Sequence, residues 1–215
     1  MYFVMLTVLG LAATLALTPG RHAAWTWLTK PLASAGFVGL AIQLGGLDST
    51  YGRVVLAGRV LALAGDVLLI PKDRRAFPAG LASFLLAHVA YLAAFAIRGV
   101  DWVAFGGAFV AVALVLAVVL RWLWPHLAGP MRVAVPAYVV AIGLMVTGSI
   151  ATAALSPAAW EIPAGAMLFM ASDLFVARHR FVAPGFVNRL VGLPLYYAGQ
   201  LLIAWSVTGA TAGQC

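Results

Sequence analysis

Apolar stretches of about 20 residues, each long enough to cross the roughly 30 Å hydrocarbon core of a bilayer, recur along the chain. Only short, turn-rich connections such as Thr18-Pro19-Gly20, Gly45-Gly46, Gly129-Pro130, Ser156-Pro157 and Pro184-Gly185 separate them. No soluble domain buries so much: 64% of the 215 residues are apolar and 9% charged, where a globular chain is about one-quarter charged. The runs are continuous rather than alternating, which excludes a β-barrel. The expected architecture is all-α, a polytopic membrane protein built as a bundle of eight transmembrane helices. The expected spans are 2–18, 30–46, 53–70, 78–98, 101–121, 132–154, 160–177 and 189–208. No linker or low-complexity tract interrupts them, so residues 1–215 read as one domain. The first run resembles a signal peptide in length but lacks a basic n-region and a small-x-small cleavage site, so it counts as a span.

Charge sets the orientation. The odd-numbered connections carry Arg21, Lys30, Lys72, Arg74, Arg75, Arg121, Arg132, Arg178, Arg180 and Arg189, whereas the even ones carry only Arg53 and Arg98. By the positive-inside rule the odd connections are cytoplasmic, and the N- and C-termini lie on the non-cytoplasmic side. The net charge of +7 is spread singly through loops, which argues against nucleic acid as a partner and for a lipid bilayer. Cys215 is the single cysteine, so no disulfide forms within the chain. Compactness and Ala/Val/Leu/Arg richness point to the inner (plasma) membrane of a bacterium. The sequence carries no signal for oligomeric state.

Two acids fall inside the expected spans. Asp66, in Ala64-Gly65-Asp66, and Asp173, in Ala171-Ser172-Asp173, lie 107 residues apart, and each is followed by a basic loop. A carboxylate within a bilayer costs several kcal/mol unless paired, hydrated or protonated, so both are functional candidates. Orientation puts both in the cytoplasmic half. The offset of four helices hints at a weak parallel repeat of two four-helix halves, about 1–100 and 101–215. Arg59 lies two turns before Asp66 on the same helix face; it can meet an acid, a lipid phosphate or, structurally, a buried carbonyl. His88 is the one histidine at membrane depth and stacks with Tyr91 at i, i+3. Tyr196 and Tyr197 near a helix entry read as interfacial anchors, and Gln200, like Gln43, as interhelical glue. Tryptophans 25, 27, 102, 122, 124 and 160 read as an aromatic belt. No two histidines share a metal-ligand spacing, so neither a metal nor another cofactor is expected. No Gly-x-Ser-x-Gly motif accompanies Ser172.

The order of these motifs resembles a known family. Lys30-Pro31 is followed by Gly65-Asp66-x-x-Leu69, then Phe77-x-x-Gly80-Leu81 and Phe84-x-x-x-His88-x-x-Tyr91. Tyr138, Met145, Gly165-Ala166-x-x-Phe169-x-x-Ser172-Asp173, Phe181 and Tyr197-x-x-Gln200 complete it. Over nearly the whole chain this is similar to the YhhN-like lysoplasmalogenases, with one departure: Leu174 stands where a small polar residue is expected. The resemblance implies a membrane-embedded hydrolase that cleaves the vinyl ether bond of a single-chain (lyso) ether phospholipid, giving a fatty aldehyde and a glycerophospho-amine. Protonation of the outer alkene carbon gives an oxocarbenium ion that water captures, so one carboxyl must carry a proton while a second is ionised. Asp66 and Asp173 are expected in those roles, in either order. His88 orients water or shuttles protons; Lys30 or Arg59 meets the phosphate; Tyr91, Tyr138, Ser172, Tyr197 and Gln200 complete the polar pocket. The rival class is a small proton- or cation-coupled transporter or lipid-binding protein using the same acids. Against it stand the lack of an inverted repeat and of paired broken half-helices. A hydrolase of another single-chain lipid is the third reading.

Overall fold

The computed structural model describes residues 1–17, 23–71, 73 and 75–208, the side chains of Ala23 and Pro157 excepted. The expectations that rest on Thr18-Pro19-Gly20, Arg21, Lys72, Arg74 and Cys215 fall outside them. The described residues form eight α-helices and no strand: α1 Tyr2–Leu17, α2 Thr26–Gln43, α3 Thr50–Leu68, α4 Ala76–Arg98, α5 Trp102–Leu123, α6 Met131–Leu155, α7 Glu161–Ala177 and α8 Phe186–Trp205. Local chemistry sets several ends. Ser49 caps α3 by accepting from Gly52 N at 3.0 Å, and Asp101 caps α5 by accepting from Val103 N and Ala104 N at 2.9 Å. Gly99, at φ +113°, closes α4 in a conformation that side chains disfavour.

Three helical prolines differ from the usual placement at a first position. Pro31 and Pro136 are each the sixth residue of their helix, and Pro194 lies within α8. The expected start of the second helix at Lys30 is therefore moved back to Thr26, because the turn before Pro31 stays helical. Each proline removes the bond to the carbonyl four residues earlier.

Sequence neighbours pair as α1 with α2, α3 with α4, α5 with α6 and α7 with α8. Further packing of α2 on α3, α4 on α6, α6 on α7 and α8 on α2 closes a ring of six helices. Helix α1 lies outside the ring against α2 and α8, and α5 packs outside it on α6. Glycines permit the closest approaches. On α3, a Cβ at Gly58 or Gly65 would stand 2.7 Å from the rings of Tyr91 and Phe84, respectively. Both pairs are spaced by two helical turns, so α4 seats its aromatic rings in the glycine notches of α3. Between α7 and α8, a Cβ at Gly199 would stand 2.7 Å from Gly165 O.

The outside of the bundle is apolar. Along α5, Trp102, Val103, Phe109, Leu114 and Val118 are exposed, a surface that water does not tolerate. Helix α4, the segment Trp102–His126 and helix α6 are long and apolar enough to cross a membrane. At roughly 1.5 Å per residue, α5 alone extends about 33 Å. The chain is a membrane protein. Helices α2, α3 and α8 bury Lys30, Arg59, Asp66, Asn188 and Gln200, which lowers their apolarity.

Replacing Gly199 by Val drives a side chain into the α7 backbone and costs about 1–3 kcal/mol. Replacing Gly107, whose Cβ would meet nothing within 4 Å, by Ala is neutral or stabilises by about 0.5–1 kcal/mol. Thermal unfolding in detergent measures the contrast.

Candidate active site

A cavity of about 810 Å³ opens at the end of the bundle where α3 and α7 finish and α2, α4, α6 and α8 begin. Lys30, Asp66, Tyr138, Ser172, Asp173 and Tyr196 provide polar groups in its wall. Much of the remainder is apolar, including Leu81 and Phe84 of α4, Leu116 and Val119 of α5, and Val135 and Ile142 of α6.

Asp66 sits in the last turn of α3 and is 2% exposed. Its Oδ1 lies 3.0 Å from the Lys30 ammonium, which also donates to the Asp66 backbone carbonyl at 3.1 Å. Its Oδ2 accepts from Ser34 Oγ at 2.6 Å and from Tyr196 Oη at 2.7 Å. Lys30 and Ser34, one turn apart on α2, thus face the acid together, with Tyr196 of α8 closing the third side. A buried carboxylate with a cation and two hydroxyl donors is compensated in the way that burial requires.

Asp173 is held more loosely. Its side chain is 18% exposed, and Oδ2 accepts from Tyr138 Oη at 2.7 Å. His88 Nε2 stands 3.6 Å from that same oxygen, a distance of approach rather than of a hydrogen bond. His88 is fully buried, packed on the Phe169 ring at 4.6 Å and edge-on to Tyr138 at 5.1 Å. Phe169 also touches Tyr196 at 5.2 Å and Phe84 at 6.0 Å, so an aromatic cluster joins the surroundings of the two acids.

The remaining expected site residues lie deeper. Arg59 is fully buried, donates to Phe37 O at 3.1 Å and to Gln200 O, and has its guanidinium over the Phe37 ring. Tyr91 donates to Gln200 Oε1 at 2.8 Å. Arg59, Tyr91 and Gln200 form a polar joint among α2, α3, α4 and α8 that does not line the cavity. Expected to meet a phosphate, an acid or a buried carbonyl, Arg59 reaches two backbone carbonyls through Nη1 and Nη2, with Nε lacking a partner among the described residues. Lys30 is likewise committed to Asp66. Tyr197 contacts Ser34 Oγ at 3.2 Å and Lys30 O at 3.3 Å, one step removed from the acid. Tyr196, read as an interfacial anchor, is instead 4% exposed and bonded to Asp66. Ser34 escaped the sequence reading, although its i, i+4 spacing from Lys30 places it on the same face. Among the described residues, no group of three His, Cys, Asp or Glu side chains is gathered to hold a metal ion.

These contacts predict a stability order. Tyr196→Phe and Ser34→Ala each remove a donor from a buried carboxylate and cost about 1–3 kcal/mol, whereas Tyr197→Phe costs less. Lys30→Met strands Asp66 without its cation and costs about 3–5 kcal/mol. Thermal unfolding in detergent ranks the four; Tyr197→Phe as the most damaging would overturn the assignment.

Comparison with known proteins gives this geometry a family. The YhhN family profile matches residues 25–207, a span that holds both acids and all their partners. Lysoplasmalogenase TMEM86A of Bos taurus is 33% identical over 159 residues, 71% of this chain. The Homo sapiens protein of the same name is 33% identical over 157 residues, also 71% of this chain. Each match spans 64% of the relative's own length. A lysoplasmalogenase of Mycobacterium tuberculosis is 31% identical over 213 residues, covering 94% of this chain and 77% of that protein. No solved structure gives a significant match. With its motifs in order and the profile covering most of its length, the chain belongs to the YhhN family.

Proposed function

We propose that this protein is a membrane-embedded lysoplasmalogenase, hydrolysing the vinyl ether of a single-chain ether phospholipid by carboxyl acid–base chemistry. The observation that carries the reading is the unlike support of two acids in one cavity wall. Asp66 has a cation and two hydroxyl donors, which compensate a negative charge, whereas Asp173 has one tyrosine donor and neither lysine nor arginine beside it among the described residues. Names of the similar proteins point the same way.

In this mechanism Asp173 delivers its proton to the outer vinyl carbon. Electrons of the double bond form the new C–H bond, and a lone pair on the ether oxygen makes the oxocarbenium ion. Asp66 presents a fixed negative charge to the developing cation, and the Phe84 ring in the cavity wall adds a smaller attraction. Water attacks the carbon attached to oxygen and returns a proton to Asp173. The hemiacetal then collapses: its hydroxyl loses a proton, the glycerol oxygen gains one, and the C–O bond breaks to aldehyde and alcohol. His88, close to Asp173 Oδ2, orients that carboxyl and the water. Apolar residues of α4, α5 and α6 receive the single hydrocarbon tail.

The reading includes a topology of eight spans, with odd connections cytoplasmic and both termini on the other side, in a bacterial plasma membrane. The cavity then opens to the cytoplasmic leaflet, from which a single-chain lipid enters sideways. We also infer that residues of about 1–100 and 101–215 repeat one four-helix plan. Helix α1 outside α2 and α5 outside α6 are matching features, as are Pro31 and Pro136 at the same helical position.

Purified in detergent and given a lysoplasmalogen, the wild type releases fatty aldehyde. Asp173→Asn loses at least about 10²-fold in kcat with an unchanged unfolding temperature, as expected for an acid–base group. Asp66→Asn is also inactive, and it unfolds at lower temperature because Lys30 loses its counter-charge. Full turnover by Asp173→Asn, or no aldehyde from the folded wild type, removes this reading.

A further inference from the structure

The two cations expected to hold a phosphate are occupied elsewhere, yet the cavity mouth carries others. Helix α7 ends in one turn of π-helix, Arg178–Val182, a wide turn that recurs at functional positions. His179 and Arg180 of this turn line the cavity, as does Arg189 in the first turn of α8. The turn is braced. Arg178 Nη1 donates to Asn188 Oδ1 at 2.7 Å, and Asn188 Nδ2 donates to Ala183 O at 2.8 Å. Arg180 lies over the Phe77 ring of α4 at 4.4 Å, and Phe77 in turn meets Phe181 edge-on at 5.8 Å. His179 Nδ1 stands 3.2 Å from both the N–H and the carbonyl oxygen of Gly185, which holds the ring by that edge. Burial, with Arg189 and Arg180 adding to it, holds the His179 pKa below the ordinary imidazole value. Among the described residues, neither Arg180 nor Arg189 makes an ion pair. One carboxylate, Asp73, also lines the mouth, so with two arginines the local charge stays positive.

We infer that Arg180, Arg189 and His179 form a phosphate site at the mouth, which seats the substrate head group while the vinyl ether reaches Asp66 and Asp173. This rests on the proposed hydrolase reading and adds its specificity element. Only the glycerol backbone separates the phosphate from the vinyl ether in a lysoplasmalogen, so a mouth site and a deeper acid pair on one cavity wall match the order of groups in the lipid. Arginine forks suit phosphate oxygens, and a position over an aromatic ring pre-orders Arg180 for the contact. A phosphate so held also selects against neutral single-chain ethers, which the apolar wall alone would admit.

The test compares two substrates, a lysoplasmalogen and the corresponding 1-alkenylglycerol without phosphate, with the double variant Arg180→Gln/Arg189→Gln in detergent. The wild type prefers the phosphorylated substrate in kcat/KM. The variant loses at least about tenfold of that preference, through KM rather than kcat, and Arg180→Lys/Arg189→Lys restores part of it. If these arginines serve only membrane topology, the ratio between substrates does not move, and the inference falls. A second measurement separates this from failure of the hydrolase reading: binding of a saturated 1-alkyl lysophosphatidylethanolamine, which cannot be hydrolysed. Binding that the double variant weakens at least about tenfold supports the site even if the wild type cleaves no vinyl ether. Equal binding by both proteins overturns it.

Discussion

The pairing of Lys30 with Asp66 is the constraint around which the ring of helices is arranged. An isolated carboxylate or ammonium in an apolar bundle carries a penalty of several kcal/mol, and their mutual attraction offsets it only with good geometry and further donors. The bundle supplies both: Lys30 at 3.0 Å, with Ser34 and Tyr196 on the other oxygen. These three side chains come from α2 and α8, while the acid comes from α3. Satisfying one carboxylate therefore fixes the relative placement of three helices. Arg59 does the same one layer deeper, joining the carbonyls of Phe37 and Gln200, again on α2 and α8. Polar groups here specify which helices meet, a role that apolar packing in lipid leaves open.

Most of the helical frame was legible because it follows from runs of apolar residues and from turn formers. The ends of α1, α4, α5, α6 and α7 fall within about two residues of the expected ones, the usual uncertainty of helix termini. Helices α2, α3 and α8 start earlier than expected. For α2 the reason is specific: Pro31 is accommodated one turn inside, where tertiary packing overrides the preference of proline for a first position. The acids themselves were also legible, since a charge at membrane depth stands out against an apolar background.

Their partners were less so. Adjacent residues on a helix point about 100° apart, so whether Tyr196 or Tyr197 faces Asp66 depends on the rotation of α8, which no single-chain periodicity fixes. Arg59 shows another limit: a sequence displays cations and anions, but not the backbone carbonyls that a guanidinium can reach. The basic residues after Asp173 are read from sequence as an orientation signal. Only the π-turn and its braces reveal that two of them, with Arg189, line the cavity.

On the proposed repeat, Asp66 and Asp173 occupy equivalent places near the ends of α3 and α7, and each is approached from both halves. Asp66 takes Lys30 and Ser34 from its own half and Tyr196 from the other; Asp173 takes Tyr138 from its own half and has His88 of the other close by. Equivalent scaffolds alone would give two similar carboxyls, and two similar carboxyls cannot divide the labour of proton donor and fixed anion. The difference enters through the side chains on the second helix of each half, where Lys30 and Ser34 face one acid and Tyr138 the other. In the proposed mechanism, a cation beside one carboxyl only suits it to the role of fixed anion, and the other, with a single neutral donor, to that of proton carrier. On that proposal the reactive asymmetry resides in α2 and α6, whose Pro31 and Pro136 stand at the same position. Exchanging these partner side chains, rather than the acids, is what would exchange the roles.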